Sequence, residues 1–184
     1  MYWIKQVRIE YPNSVNFAWD MPIAKHEYEV KRQEIVFICY RISYKSNLVM
    51  SQKFDFLLAM DFEATCLRNG KMEPVQEIIE FPCLKIDTKS FNVIDEFHSY
   101  VQPKFNPDLS EFCTELTGIL QETVNDQPYL PKVLDNFQNW LKSGNLNSET
   151  AKNFAVVTCG DWDLKTCLPN QCEAYGIESV HFCT

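Results

Sequence analysis

Apolar residues run unbroken from Phe56 to Met60 and lead straight into acidic ones, the pattern of a strand buried on both faces. Two further strands are read at Glu77 to Ile86 and Val93 to Val101. The link between them, from Asp87 to Asn92, is turn-like, so the two should pair antiparallel. Pro103 and Pro107 then break the sheet. Leu109 to Gly118 predicts a short helix opened by Ser110 and closed by Gly118. Leu130, Val133, Leu134, Phe137 and Leu141 recur at helical spacing on one face, with Gly144 just past the end. Phe154 to Val157 predicts another short buried strand, and Asp163 to Tyr175 a helix whose geometry Pro169 restricts. The order is three strands, helices, a strand and a helix: an α/β domain with a mixed sheet flanked by helices.

Ahead of this, residues 1–52 carry mixed patterning, with charges from Lys25 to Glu34 and no nameable motif. They read as an N-terminal extension, either an extra strand and loop or a poorly ordered segment, before a domain spanning residues 53–184. The apolar run from Ile35 to Tyr40 is far too short to span a bilayer, and no membrane partner is expected. With 184 residues, 46% of them hydrophobic, the chain can bury one real core.

The net charge of −8 changes the functional picture more than the fold. Proteins that hold nucleic acid through many phosphate contacts are usually basic, so tight non-specific binding is not expected. An enzyme that grips one chain end through metal ions needs far less positive surface. The eight cysteines are scattered and form no Cys-x-x-Cys. Cys167 and Cys172 stand five apart without a partner pair at zinc-site spacing. Reduced, mostly buried thiols in a cytoplasmic or nuclear protein are therefore expected.

Two constellations carry chemistry. In the first, Asp61-Phe62-Glu63-Ala64-Thr65-Cys66 ends the Phe56 run. Carboxylates at i and i+2 on a strand project to one face, where Asp61 and Glu63 repel each other unless a cation lies between them. Oxygen-only ligands suit Mg²⁺ or Mn²⁺. The second, Thr158 to Leu164, also follows a buried strand, and Asp161 and Asp163 bracket Trp162. Gly160 allows a tight bend. Either aspartate can simply cap the following helix; alternatively, Asp163 turns toward Asp61 and Glu63 while the Trp162 ring offers a surface for a base to stack on.

These two motifs, with Gln76 to Pro82 and Phe112 to Ile119 between them, resemble the Eri-1-type exoribonucleases of the DEDDh 3′–5′ exonuclease family. The resemblance runs from about Phe54 to Gly176. It implies an RNase H-like fold and two divalent ions about 4 Å apart. Asp61 would contact both ions, Glu63 would help to hold one, and Asp163 would steady the site. Backbone from Phe62 through Ala64 to Thr65 would cradle the terminal nucleotide, and Phe112 and Trp162 would flank its base. The implied partner is RNA with a single-stranded 3′ end, hydrolysed from that end.

The family's third motif supplies a general-base histidine and, five residues later, an aspartate ligand. This chain ends at Thr184, and its tail offers only His181, which reads as an incidental histidine; His26 and His98 are assigned no catalytic role. The domain is therefore expected to lack its C-terminal part. Loss of a general base removes a factor of about 10²–10⁴ in rate. Three readings stay open beside the exoribonuclease: a DNA-directed exonuclease of the same fold, a non-catalytic RNA-binding or regulatory module, and a fragment that does not fold stably.

Overall fold

The computed structural model describes residues 54–144, 146 and 154–177. The expectations for residues 1–52 and for His181 lie outside them. Five strands form one mixed sheet: β1 (Phe56–Met60), β2 (Glu63–Ala64), β3 (Ile78–Asp87), β4 (Val93–Tyr100) and β5 (Phe154–Thr158). β3 runs antiparallel to β1, β2 and β4, whereas β5 lies parallel to β1 on its other side. The helices are α1 (Glu111–Thr117), α2 (Gln121–Val124), α3 (Leu130–Ser143) and α4 (Leu168–Ala174). A π-helical turn, Asp163–Cys167, leads into α4.

The patterns account for these elements. β1 is buried along nearly all of its length, as its unbroken apolar run requires. The β3–β4 hairpin is held by Asp87, whose carboxylate accepts the backbone N–H groups of Lys89 at 3.1 Å and Ser90 at 2.7 Å. α1 begins at Ser110, whose hydroxyl accepts the Cys113 N–H at 3.0 Å, and ends at Gly118 in the left-handed region, φ 72°. Gly144 ends α3 without entering that region, at φ −80°. α2 was not anticipated, because four residues are too few to show a period.

The last helix departs from regular α geometry for a reason visible in the sequence. Pro169 has no N–H, and its ring would collide with the carbonyl four residues back. The backbone opens instead, and the Leu168 N–H reaches the Asp163 carbonyl five residues back.

On one face of the sheet Leu58, Met60, Phe62, Phe81 and Cys83 pack against Leu130, Val133 and Phe137 of α3 and against Leu168 and Cys172 of α4. α1 and α2 contribute Cys113 and Val124 to a separate cluster with Ile79 and Ile119. Between Glu63 and Ala64 the pairing jumps from Glu80 to Ile78, so two residues of β3 stand against one of β2. This bulge releases Ile79 from the alternation and turns it toward α1. Pro82 faces a gap: on the β1 side the pairing passes from Met60–Cys83 to Glu63–Glu80 and skips Asp61, Phe62, Phe81 and Pro82.

Candidate active site

The gap in the ladder is where the chemistry gathers. Phe62 is buried in the core, its ring 4.5 Å from that of Phe81 and edge-on to it. Asp61 and Glu63 on either side of it are half-buried. This alternation sets the two carboxylates on the sheet face opposite Phe62, as strand periodicity predicts. Glu63 stands across from Glu80, which is 4% exposed and bonded to the His98 Nε2 at 2.8 Å. From the sequence Glu80 has no assigned role and His98 none in catalysis; only the register puts Glu80 beside Glu63.

β5 delivers the second motif to the same place. It runs parallel to β1 with Thr158 beside Met60, so both strands end together. Gly160 then turns the chain at φ 101°, a conformation side chains rarely tolerate. Asp163 emerges 3% exposed, and its Oδ1 accepts the Phe62 N–H at 2.8 Å across 101 residues of sequence. Asp161 is exposed and pairs with Lys165 at 2.9 Å. Neither aspartate makes a side-chain cap to the helix, so the capping alternative is not what the chain uses.

Burial holds the Asp163 carboxyl above its ordinary range; the N–H groups of Phe62 and of Asp163 itself pull it back only in part. A carboxylate in such a position gains from a nearby cation. Among the described residues, no group of three or more His, Cys, Asp or Glu side chains is arranged to hold an ion. The latch explains part of this, since one Asp163 oxygen is committed to the Phe62 backbone. The donor chemistry, carboxylate oxygens from Asp61, Glu63 and Asp163, is of the kind that suits a hard divalent ion.

The expected nucleotide contacts are met unevenly. The Phe62, Ala64 and Thr65 side chains are buried, and the N–H groups of Phe62 and Thr65 already bond Asp163 and the Glu77 carbonyl. Trp162 is 37% exposed. Phe112 is half-buried on α1 and carries the Arg68 guanidinium 4.8 Å above its ring. Arg68 also bonds Glu115 at 2.7 Å, but both partners are largely exposed, so the pair is worth at most about 1 kcal/mol and yields readily. A cavity of about 750 Å³ opens between the loop after β2 and α4; its lining holds Cys66, Lys71, Thr166 and Asn170 rather than the three carboxylates.

The six described cysteines are all free thiols, as expected. No helix among the described residues is long and apolar enough to cross a membrane.

Comparison with known proteins agrees with this geometry. The RNase T exonuclease family profile matches residues 58–184. Human ERI1 exoribonuclease 3 is 46% identical over 126 residues, covering 68% of this chain and 36% of that protein. ERI1 exoribonuclease 2 of Danio rerio is 44% identical over 145 residues, covering 71% and 26%. The chain thus spans between about a quarter and just over a third of the length of these curated relatives. Among solved structures, the nuclease domain of 3′hExo, a DEDDh family member bound to rAMP, superposes with a TM-score of 0.67 at 36% identity, covering 72% of this chain and 65% of that one. With its RNase H-like mixed sheet and both carboxylate motifs at one strand end, the chain belongs to the RNase T exonuclease family, in the Eri-1-type DEDDh branch.

Proposed function

We propose that this chain carries the substrate-cleaving face of a Mg²⁺- or Mn²⁺-dependent 3′–5′ exoribonuclease, acting on RNA with a single-stranded 3′ end. The observation that carries the reading is the latch between Asp163 and the Phe62 N–H, which joins the two acidic motifs. Support comes also from relatives named exoribonucleases and from a related 3′-exonuclease whose structure concerns recognition of a histone mRNA stem-loop.

Asp61, Glu63 and Asp163 would hold the ions. The chemistry such ions would supply is polarisation of the phosphodiester and a lowered pKa for an attacking water. Asp61 and Glu63 extend from one sheet face toward the scissile phosphate, while Asp163 fixes the backbone between them. Phe112 and Trp162 take the terminal base between their rings, which requires Arg68 to swing off Phe112. The 2′-hydroxyl of the terminal ribose distinguishes RNA from DNA at such a site.

The test is incubation of the chain with 5′-labelled single-stranded RNA and Mg²⁺, beside an Asp61→Ala, Glu63→Ala variant. A ladder shortening from the 3′ end, lost with EDTA and in the variant, supports the enzyme. A folded chain that binds RNA without shortening it supports the second reading, a non-catalytic RNA-binding module.

A further inference from the structure

A second cavity, of about 600 Å³, opens beside the start of α3. Lys104, Tyr129, Lys132 and Tyr175 supply its distinctive lining. The chain carries a net charge of −8, yet among the described residues both charged ones that line this cavity are lysines. Among the described residues neither makes an ion pair. Both are exposed, so their charge is presented to solvent at low cost.

The wall is built rather than incidental. The Lys104 ammonium sits 5.0 Å from the centre of the Tyr175 ring and 5.1 Å from that of Phe105, held by cation–π attraction. Its backbone is pinned from beneath: the buried Glu77 carboxylate accepts the N–H groups of Lys104 at 2.7 Å, Phe105 at 2.9 Å and Asn106 at 2.7 Å. The Gln102 N–H reaches the Pro128 carbonyl at 3.2 Å and ties this loop to the one before α3. Tyr129 leaves 46% of its surface open, and the Tyr175 hydroxyl is buried without a hydrogen-bond partner.

The cavity also lies at the end of the sheet where β1 stops, on the side that α3 and α4 cover. Glu80 pairs with Glu63 on one side and with Tyr100 on the other, and Lys104 follows Tyr100 by four residues. Cations beside an open aromatic ring are the means by which single-stranded nucleic acid is held without sequence preference: phosphates on the lysines, a base on the ring.

We infer that this cavity is a second RNA subsite, binding a phosphate-and-base unit 5′ of the nucleotide at the carboxylates, with Lys104 and Lys132 on phosphate and Tyr129 under the base. The inference rests on the exoribonuclease reading. It gives an acidic protein a local grip on the strand beyond its terminal nucleotide.

The test is fluorescence anisotropy of the full chain with 5′-fluorescein RNA of three and of fifteen nucleotides, in Ca²⁺ and over a range of salt. Wild type should bind the 15-mer more tightly than the trimer. The Lys104→Ala, Lys132→Ala double variant should lose about tenfold on the 15-mer, with its log K against log salt slope shallower by about 1.4, two phosphate contacts at ~0.7 each. Tyr129→Ala should lose about tenfold on the 15-mer with the slope unchanged. Trimer binding should be intact in both. Lys132→Glu, at an exposed position, repeats the test should Lys104→Ala unfold the loop. Unaltered 15-mer affinity and slope in these variants, with trimer binding still lost in Asp61→Ala, Glu63→Ala, overturns the subsite and leaves the exonuclease reading standing. Failure of wild type to bind either RNA overturns both.

Discussion

Asp163 shows how one side chain can cost stability for the sake of a site. Its carboxyl is buried and its folded-state pKa is raised, so ionisation is disfavoured in the folded chain relative to the unfolded one. No penalty exists below the ordinary aspartate range; it grows as pH rises through the elevated folded value, and stability falls with it. Asp163→Asn keeps an oxygen for the Phe62 N–H and removes the charge. In EDTA it should raise Tm at pH 7, with the gain shrinking to nothing as pH falls through the ordinary aspartate range. Calorimetry across pH checks this; an Asn variant less stable than wild type at pH 7 contradicts it. Cys66 makes an opposite kind of prediction. Burial first, then Cys113 and Glu63 beside it, push the Cys66 thiol up to about 12. At pH 8 its thiolate fraction is therefore on the order of 10⁻⁴. Iodoacetamide should label Cys66 far more slowly than a free thiol, as read by mass spectrometry of the peptide.

At the scale of elements, the connections between sheet and helices depend on a few buried polar groups. Glu77 is fully buried and gathers three backbone N–H groups of the loop after β4. Glu77→Ala would strand those donors, a loss of about 3 kcal/mol, or roughly 6–12 °C in Tm for a chain of this size. Urea denaturation should show a lower midpoint with an unaltered slope; a midpoint unchanged from wild type would mean that water takes over the carboxylate's role. Gln171 plays a similar part on α4, where its Oε1 accepts the Ile78 N–H at 2.9 Å and ties the helix to the start of β3. Pro169 was legible as a constraint, but its result, a π turn that aims Asp163 inward, was not. A proline states which bond cannot form; the packing of Cys167, Leu168 and Cys172 selects the alternative.

For the whole molecule, the parallel pairing of β1 and β5 matters most, because it makes two distant acidic motifs end side by side. On the proposed reading, in which Asp61, Glu63 and Asp163 hold the ions, a divalent cation should stabilise the folded state. Mg²⁺ at 100 times its Kd should contribute about 2.7 kcal/mol and raise Tm accordingly. Asp61→Asn with Glu63→Gln should abolish the shift and reduce exonuclease rate by at least about 10²-fold. A Tm shift that survives in the double variant would locate the ion elsewhere.

Much of this architecture is local and was legible in the chain. Strand β1, the β3–β4 hairpin, and the bounds of α1 and α3 follow from period, turn chemistry and caps, which act over a few residues. The burial of Phe62 between half-buried Asp61 and Glu63 is likewise a local alternation. What could not be read is what depends on contact across the sheet. The burial of Asp163 and its bond to the Phe62 N–H span 101 residues of sequence. The approach of Glu80 to Glu63 rests on register, and the bulge at Ile79 on how α1 fills its cluster. The Lys104 cavity joins the loop after β4, the start of α3 and the end of α4. Local preferences are properties of neighbouring residues, whereas register and burial are set by the packing of the whole core, and the site was assembled at that second level.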